Sequence, residues 1–411
     1  MMVFLLLVGG LTVLSAAVPV YAGSITVPDD YPTIQEAINA ASQGEQIFVR
    51  SGLYPENIVV NKTIALRGEN RQATIGAGSG TCVSITSDKV MFTGFTIKDG
   101  QDQGISITSS MCLVADNNIN GMMSFGGIFL DGRYSKVEGN TIFNNSICGN
   151  DDCGITVYTS SKNSIIANKI NQNLFVGLYL VLDSSFNLIS DNELVGNNDA
   201  GICLGMNCCN NTIVNNDASE NGWKWGPIDS WWVNASIYLY QTSCYNRISG
   251  NCISNNQVGV QLETYSDNNM IYHNFFINNT VQLVNYYFGD SCAEFWDNGY
   301  PSGGNYWSDY SGIDLNSGSG QNESGSDGIG DVPYTLDQKN IDHYPLMEPY
   351  GRLLGDVDDD GRVDMRDVGL ACGAFGSCAG SPKYNVMADV NLDLRIDLGD
   401  IGIICLNFGK H

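Results

Sequence analysis

Cationic side chains are scarce in this 411-residue chain: 19 Lys and Arg stand against 44 Asp and Glu, a formal charge of −25 with pI ≈ 4.2. A surface of that sign repels phosphate backbones and anionic headgroups, which excludes nucleic acid as a partner, and it suits divalent cations. Long apolar runs are confined to residues 1–22. No later segment has the roughly 20 apolar residues that a helical membrane crossing needs. The run ends in Val20-Tyr21-Ala22, a small-x-Ala pattern that predicts a signal peptide over 1–22, cleaved before Gly23, and a secreted or cell-surface protein. No Lys or Arg precedes it, so retention as an N-terminal anchor stands as the alternative.

What is abundant is asparagine at fixed spacing. Triplets occur at Asn163-Asn168-Asn173, Asn187-Asn192-Asn197, Asn211-Asn216-Asn221, Asn246-Asn251-Asn256 and Asn269-Asn274-Asn279. They recur at a step of about 24 residues, within the solenoid range, and the step stretches once, between Asn211 and Asn246. Apolar residues alternate inside each unit, and units open on a Gly-apolar-x-apolar stretch such as Gly154-Ile155-Thr156-Val157 or Gly201-Ile202-Cys203-Leu204. Alternation is the strand period. The expected fold is all-β, a right-handed parallel β-helix solenoid over 23–300. One coil cannot bury its own inner face, so only the stack is stable. Asn at the corners is expected to take left-handed backbone angles and to bond the Asn one coil on. Thr33-Ile34-Gln35-Glu36 is a capping box, and the short amphipathic helix it starts is expected to plug the first coil as an N-terminal helical cap.

The single stretched coil holds Gly222-Trp223-Lys224-Trp225-Gly226-Pro227-Ile228-Asp229-Ser230-Trp231-Trp232, with four of the chain's 6 Trp. Loops inserted into solenoids project from one face, and a Trp ring offers a flat apolar area with a polar edge that suits a pyranose. Trp223, Trp225, Trp231, Trp232 and Tyr238 are the candidate substrate-binding residues, joined by Tyr179, Tyr240 and Tyr265. Asp229 and Glu263 are the weak catalytic candidates. The competing reading is a private mini-core of the Trp residues. The 13 Cys include Cys148 and Cys153, which bracket a loop, and Cys209 and Cys244, expected to stack in adjacent coils. An oxidising compartment would allow both pairs to bridge, and inward apolar packing is the alternative.

Composition shifts after Gly351. Asp356, Asp358, Asp360, Arg362, Asp364 and Asp367 fall at positions 1, 3, 5, 7, 9 and 12 of an EF-hand loop, with Gly361 at the sharp turn. A second copy lies 33 residues on, at Asp389, Asn391, Asp393, Arg395, Asp397 and Asp400. Each leads into an apolar helix. Alternate carboxylates on a tight loop present the hard oxygens that Ca2+ requires, so two Ca2+ sites are expected, the second altered by Leu394 at the turn position. Cys372 and Cys405 share the offset and are expected to face each other. This duplicated loop-helix resembles a type I dockerin over 351–411. The resemblance implies docking to a cohesin-bearing protein. Loop positions 10 and 11, Met365-Arg366 and Leu398-Gly399, differ between the copies, which argues against symmetric dual docking.

Gly304-Asn305-Tyr306-Trp307-Ser308-Asp309-Tyr310, Asp327-Gly328-Ile329-Gly330-Asp331-Val332-Pro333-Tyr334 and Asn340-Ile341-Asp342-His343-Tyr344-Pro345-Leu346-Met347 make a capping segment over 301–350. With the coils it resembles the NosD-like group of secreted β-helix proteins, whose coils are similar to a module of carbohydrate-binding and sugar-hydrolysing proteins. That family implies a copper-binding accessory role. The residues support copper poorly: His273, His343 and His411 are the only histidines, and no Met or Cys cluster has soft-metal spacing. The Asp-Gly-x-Gly-Asp stretch reads as a turn closing the last coil, with a further Ca2+ site as the alternative. Asn150-Asp151-Asp152-Cys153 is similar to the Asp-Asp-Cys of polygalacturonases, without the Gly-His-Gly and Arg-x-Lys that would complete their site. The expected function is binding, and help in processing, of extracellular polysaccharide by a surface-attached protein. The alternative is a polysaccharide lyase or glycoside hydrolase in polysaccharide catabolism, and a third reading is the copper accessory.

Overall fold

The computed structural model describes residues 24–76, 78–124, 126–222, 235–263, 265–286, 292–351, 355–358, 362–377, 383, 385, 387–390 and 395–410. Short strands wind as a right-handed parallel β-solenoid of about 11 turns. Three sheets of eleven, ten and six strands form its walls. One coil contributes Ser164–Ile166 to the first sheet, Lys169–Asn171 to the third and Val176–Val181 to the second. Pairing is parallel and in register from coil to coil. In the first sheet Ile142, Ile165, Ile189, Ile213, Ile248 and Ile271 stack directly over one another, all fully buried. In the second, Val157, Leu180, Leu204, Leu239 and Leu262 do the same. Period-2 alternation thus sends one residue of each pair into a single continuous core and the other to the outside.

The bends between sheets are governed by the asparagines. They form three buried columns. In the middle column, which runs Asn117, Asn145, Asn168, Asn192, Asn216, Asn251, Asn274 and Asn305, each Oδ1 from Asn145 onward accepts from both the backbone N–H and the Nδ2 of the Asn one coil earlier, at 2.9–3.0 Å. The remaining Nδ2 proton goes to a backbone carbonyl one coil back, as from Asn192 to Ile165 at 2.8 Å. Asn140 to Asn269 and Asn150 to Asn279 repeat the arrangement. Every buried amide at these corners is therefore satisfied. The expected stacking is observed, with one correction: the left-handed residue is the one before each Asn. Lys162, Ala167, Gln172, Phe186, Asp191 and Asn210 all have φ between 55° and 60°. That single reversal turns the chain and points the following Asn inward, while the Asn itself keeps ordinary angles. The glycine that opens a strand serves the same column. A Cβ on Gly177 would stand 2.7 Å from Asn197 Nδ2 and from the Gly201 carbonyl.

Along a column the Asn-to-Asn bonds, from Nδ2 and from the backbone N–H, all run toward the C-terminus, so each column needs an acceptor at its far end. Two columns end on carboxylates. Glu294 accepts the N–H and Nδ2 of Asn269 at 2.5 and 3.0 Å. Asp342 accepts from Asn305 N–H at 2.7 Å, Trp307 Nε1 at 2.8 Å and Tyr344 N–H at 3.1 Å. Trp307 stacks on Phe276 and Tyr334 with centroids 4.2 and 4.5 Å apart, which seats this segment on the last coil. In the Asp-Gly-x-Gly-Asp stretch Asp327 accepts from the Ile329 N–H and Asp331 from the Asn316 N–H and Nδ2, while Asp314 accepts from the Asp327 and Gly328 N–H groups. At the other end helix α1 (Ile34–Ala40), N-capped by Thr33, buries Ile34, Ala37 and Ile38 in the solenoid core. No disulfide occurs among the described residues. The expected stacking of Cys209 and Cys244 is present, but as thiols, with Cys244 N–H donating to Cys209 Sγ at 3.2 Å. Cys153 is buried and unbridged.

Asn192→Leu removes one Oδ1 that accepts two bonds and one Nδ2 that donates two, while keeping the number and branching of side-chain heavy atoms. At a net value of about 1 kcal/mol per bond, the variant is expected to lose about 4 kcal/mol of stability, read by chemical denaturation, with hydrogen exchange rising first in the coils on either side. The column ends also predict a pH dependence. Burial pushes the Asp342 carboxyl up to about 7, and burial raises Glu294 well above the usual range, in both cases against hydrogen bonds that favour the anion. Raised values mean the folded chain holds these protons when the unfolded chain has released them. The stability they contribute is full below about pH 4 and is lost as the pH rises toward 7. Thermal melts across that window should show a steeper loss in the natural chain than in a Glu294→Gln, Asp342→Asn double variant.

Candidate functional site

The outer face of the ten-stranded sheet carries a stripe of phenols and carboxylates. Register places Tyr179, Cys203, Tyr238 and Gln261 in one outward column. Gly205 and Tyr240 pair in the neighbouring one. The Tyr238 and Tyr240 rings stack with centroids 4.9 Å apart. The Tyr240 hydroxyl reaches back to the Tyr179 hydroxyl at 2.5 Å, and the Tyr238 hydroxyl donates to Glu263. That reach is possible because residue 205 is glycine: its missing side chain is where the Tyr240 ring lies. Beneath the rings Cys153, Val176, Ala200, Cys203, Ala235 and Val258 form a buried cluster separate from the solenoid core.

Electrostatics fixes what these groups do. Burial, with the contact to Glu263, pushes the Tyr238 phenol far up, and burial raises Tyr179 likewise; Tyr240 is pushed up to about 12. All three are neutral hydroxyls at ordinary pH, donors and acceptors of hydrogen bonds and not bases. Burial also raises the Cys153 and Cys203 thiols well above their usual value.

The same face continues toward the N-terminus through residues that sequence reasoning missed. Phe129 and Tyr158 stack at 6.1 Å. Arg133 lies over both, 5.5 and 5.2 Å from their centroids, and over the exposed Tyr134. Its Nε and Nη2 bond Asp131 at 2.8 and 2.7 Å. Burial works against the Asp131 anion, but these bonds hold the carboxyl below its ordinary value. The signal available was the alternation Phe129-x-Asp131, two outward positions of one strand, followed by Arg133.

Of the sequence candidates, Tyr238 and Glu263 come together with Tyr179 and Tyr240. Tyr265 is separate and exposed. Trp223, Trp225, Trp231, Trp232 and Asp229 lie outside the described residues. Asp152 closes its own turn by accepting from Cys153 N–H at 2.8 Å.

The C-terminal residues form a duplicated unit. Helices α2 (Met365–Ala374) and α3 (Leu398–Asn407) each begin with a reciprocal capping box, Asp364 with Asp367 and Asp397 with Asp400. Val357 and Val390 N–H donate to Asp367 and Asp400 at 2.6 and 2.8 Å. The halves are interlocked: Gly376 N–H bonds the Ile396 carbonyl, and Gly409 N–H bonds that of Val363, both at 2.8 Å. A small core of Val357, Val363, Ala371, Val390, Ile396 and Ile404 repeats at the same 33-residue offset. Carboxylate oxygens of Asp356, Asp358 and Asp367 lie within 4.8 Å of one another. Asp364 stands outside that group, with Oδ1 on the Arg366 N–H at 2.7 Å. Asp360, Asn391 and Asp393 lie outside the described residues. Asp389 and Asp400 are buried, and Arg362 and Arg395 are exposed. Cys372 and Cys405 are both exposed and unbridged.

Among the described residues neither His273 nor His343 falls in a group of three metal-ligating side chains. His273 is stacked on Tyr350 and meets Tyr272 edge-on, with Nε2 at 2.9 Å from the Ser302 carbonyl, and burial lowers its pKa. His343 Nδ1 contacts Asp297 at 3.0 Å. His411 lies outside the described residues. Met122 is buried in the core and Met123 is exposed.

Gly205→Ala places a methyl group where the Tyr240 ring lies. Loss of the Tyr240–Tyr179 contact is expected, with a destabilisation of about 1–3 kcal/mol in denaturation and an altered near-ultraviolet tyrosine signal.

With this geometry in place, relatives can be compared. A model described as "Right handed beta helix region" matches residues 81–244, and one described as "Periplasmic copper-binding protein (NosD)" matches residues 230–312. A cell surface glycoprotein of Methanothermus fervidus is 30% identical over 318 residues, 68% of this chain and 51% of the relative. A probable ABC transporter binding protein NosD of Pseudomonas aeruginosa is 34% identical over 119 residues, 29% of this chain and 24% of the relative. The chain thus spans about half the length of the first and about a quarter of the second. Among solved structures, the enzymatically active domain of tailspike protein 2 of bacteriophage CBA120 aligns with a TM-score of 0.50 at 13% identity, over 69% of this chain and 49% of that one, a likeness of fold alone. The wound sheets and the two matched regions together support a NosD-like parallel β-helix protein.

Proposed function

We propose that this is an extracellular or surface-exposed solenoid that binds polysaccharide along the outer face of its ten-stranded sheet. The carrying observation is the linked stripe in which Tyr238 holds Glu263 and Tyr240 reaches Tyr179, continued by Phe129, Tyr158 and the Asp131–Arg133 pair. Aromatic faces stack on the C–H face of sugar rings, and neutral hydroxyls and carboxylates exchange hydrogen bonds with sugar hydroxyls. The cell-surface and periplasmic names of the relatives favour a location outside the cytoplasm. Removing one stacking ring costs about 0.5–1.5 kcal/mol, so Tyr179→Ala and Tyr240→Ala should each weaken retention in polysaccharide-containing gels by roughly 2- to 12-fold. Unchanged retention in both would refute the face as the binding surface.

The C-terminal unit is assigned as a dockerin-like calcium module, and the helix at the first coil as a cap over its open edge. Asp356, Asp358 and Asp367 would hold one Ca2+, joined by Asp360; Asp389 and Asp400, with Asn391, Asp393 and Asp397, would hold a second. Bound Ca2+ would neutralise carboxylates that otherwise repel one another and so lock each loop to its helix. A cohesin-bearing partner is the docking target that the resemblance implies. Ca2+ at a hundred times its Kd should stabilise the full chain's C-terminal unit by about 2.7 kcal/mol in melts, and Asp367→Ala should abolish uptake at the first loop in calorimetry. Heat release unaltered by that variant would remove the assignment.

A further inference from the structure

Resting on the binding reading above, we propose that the polymer carried by this face is a neutral polysaccharide and not a polyuronate or sulfated glycan. Recognition of a sugar carboxylate or sulfate calls for a free cationic fork, in practice an arginine with two unused N–H groups. Among the described residues the stripe has one arginine, and its fork is taken: Nε and Nη2 of Arg133 are both on Asp131, at 2.8 and 2.7 Å. That pair cancels its own charge. The charge left on the stripe is Glu263, which accepts from Tyr238. The face is thus net negative, on a chain whose formal charge is already −25.

The other groups suit an uncharged ligand. Tyr179 and Tyr240 are neutral and part-buried, and they satisfy each other in the absence of ligand. Hydroxyl partners of this kind match sugar hydroxyls, which both donate and accept. The aromatic positions fall in two adjacent outward columns along the solenoid axis, Phe129, Tyr179 and Tyr238 in one and Tyr158 and Tyr240 in the other, with Cys203 and Gly205 on the coil between Tyr179 and Tyr238. Coils are about 4.8 Å apart; Phe129 and Tyr238 are buried, so the rings a chain laid along the axis meets are the part-exposed Tyr158, Tyr179 and Tyr240. An anionic polymer laid there would place charge after charge against the same negative field.

The test is affinity electrophoresis of the full chain through gels holding β-glucan, mannan or xylan, and through gels holding polygalacturonate or alginate. Each is run with chelator and with Ca2+, at low and at high salt. The expected result is that a neutral polymer retards the chain at least roughly tenfold more strongly than either polyuronate at low salt, with the gap narrowing as salt screens the repulsion. Glu263→Gln should narrow the gap as well. Equal or stronger retardation by a polyuronate, whether direct or only with Ca2+, would overturn the neutral assignment and leave polysaccharide binding standing. Retardation by no polymer would overturn the binding reading itself, and the neutral assignment with it.

Discussion

A buried primary amide that accepts two hydrogen bonds and donates two is the constraint on which this molecule rests. Each ladder asparagine meets that requirement only when the coil before it supplies donors and the coil after it an acceptor, in most layers an identical residue and at the ends a carboxylate or a backbone N–H. A single coil satisfies neither side. Buried polar groups that are fully paired add rigidity, whereas half-paired ones cost more than an apolar substitute. The columns therefore make stacking close to all-or-none at the corners and leave the walls to stacked isoleucine and leucine. The left-handed residue before each asparagine carries a cost of about 1–2 kcal/mol outside glycine, recurring at almost every bend. The two bonds made on each side of the amide offset it.

Strict register is what gives the outer face its chemistry. Because Asn163, Asn187 and Asn211 lie over one another, so do every second residue of Ile155–Tyr158, Val176–Val181 and Ala200–Gly205. Residues far apart in the chain become neighbours at one inter-coil distance. The Tyr240 hydroxyl meets that of Tyr179 across 61 positions of sequence. The interlocked C-terminal unit reaches a similar end by different means, with each loop pairing to the strand-like exit of the opposite helix.

The solenoid could be read from the sequence because its cause is periodic. Asn recurring at 23 or 24 positions is visible without coordinates, and so are the duplicated acidic loops. Features caused by a single event were not visible. Glu294 lies 25 positions after Asn269, but nothing in its neighbourhood marks it as the residue that closes a column. Asp342 closes another column across 37 positions of irregular chain. The phenol cluster was half legible: alternation sends Tyr179, Tyr238 and Tyr240 outward, yet their linkage depends on the open space at Gly205, which periodicity does not encode. Asp131 and Arg133 escaped notice because their pairing is local and their partners, Phe129 and Tyr158, are a coil apart. The left-handed position was misplaced by one residue because asparagine's tolerance for such angles drew attention away from its varied predecessor.

The long coil shows what an unbroken column permits. Asn211 bonds Asn246, and Asn216 bonds Asn251, at 3.1 and 2.9 Å across 35 positions, with the geometry found where only 23 or 24 intervene. Extra chain therefore enters at one corner without shifting a single neighbouring layer. Such a cylinder is a scaffold open to evolutionary grafting: recognition segments can be gained, traded or trimmed at the corners while the wall that carries them stays the same.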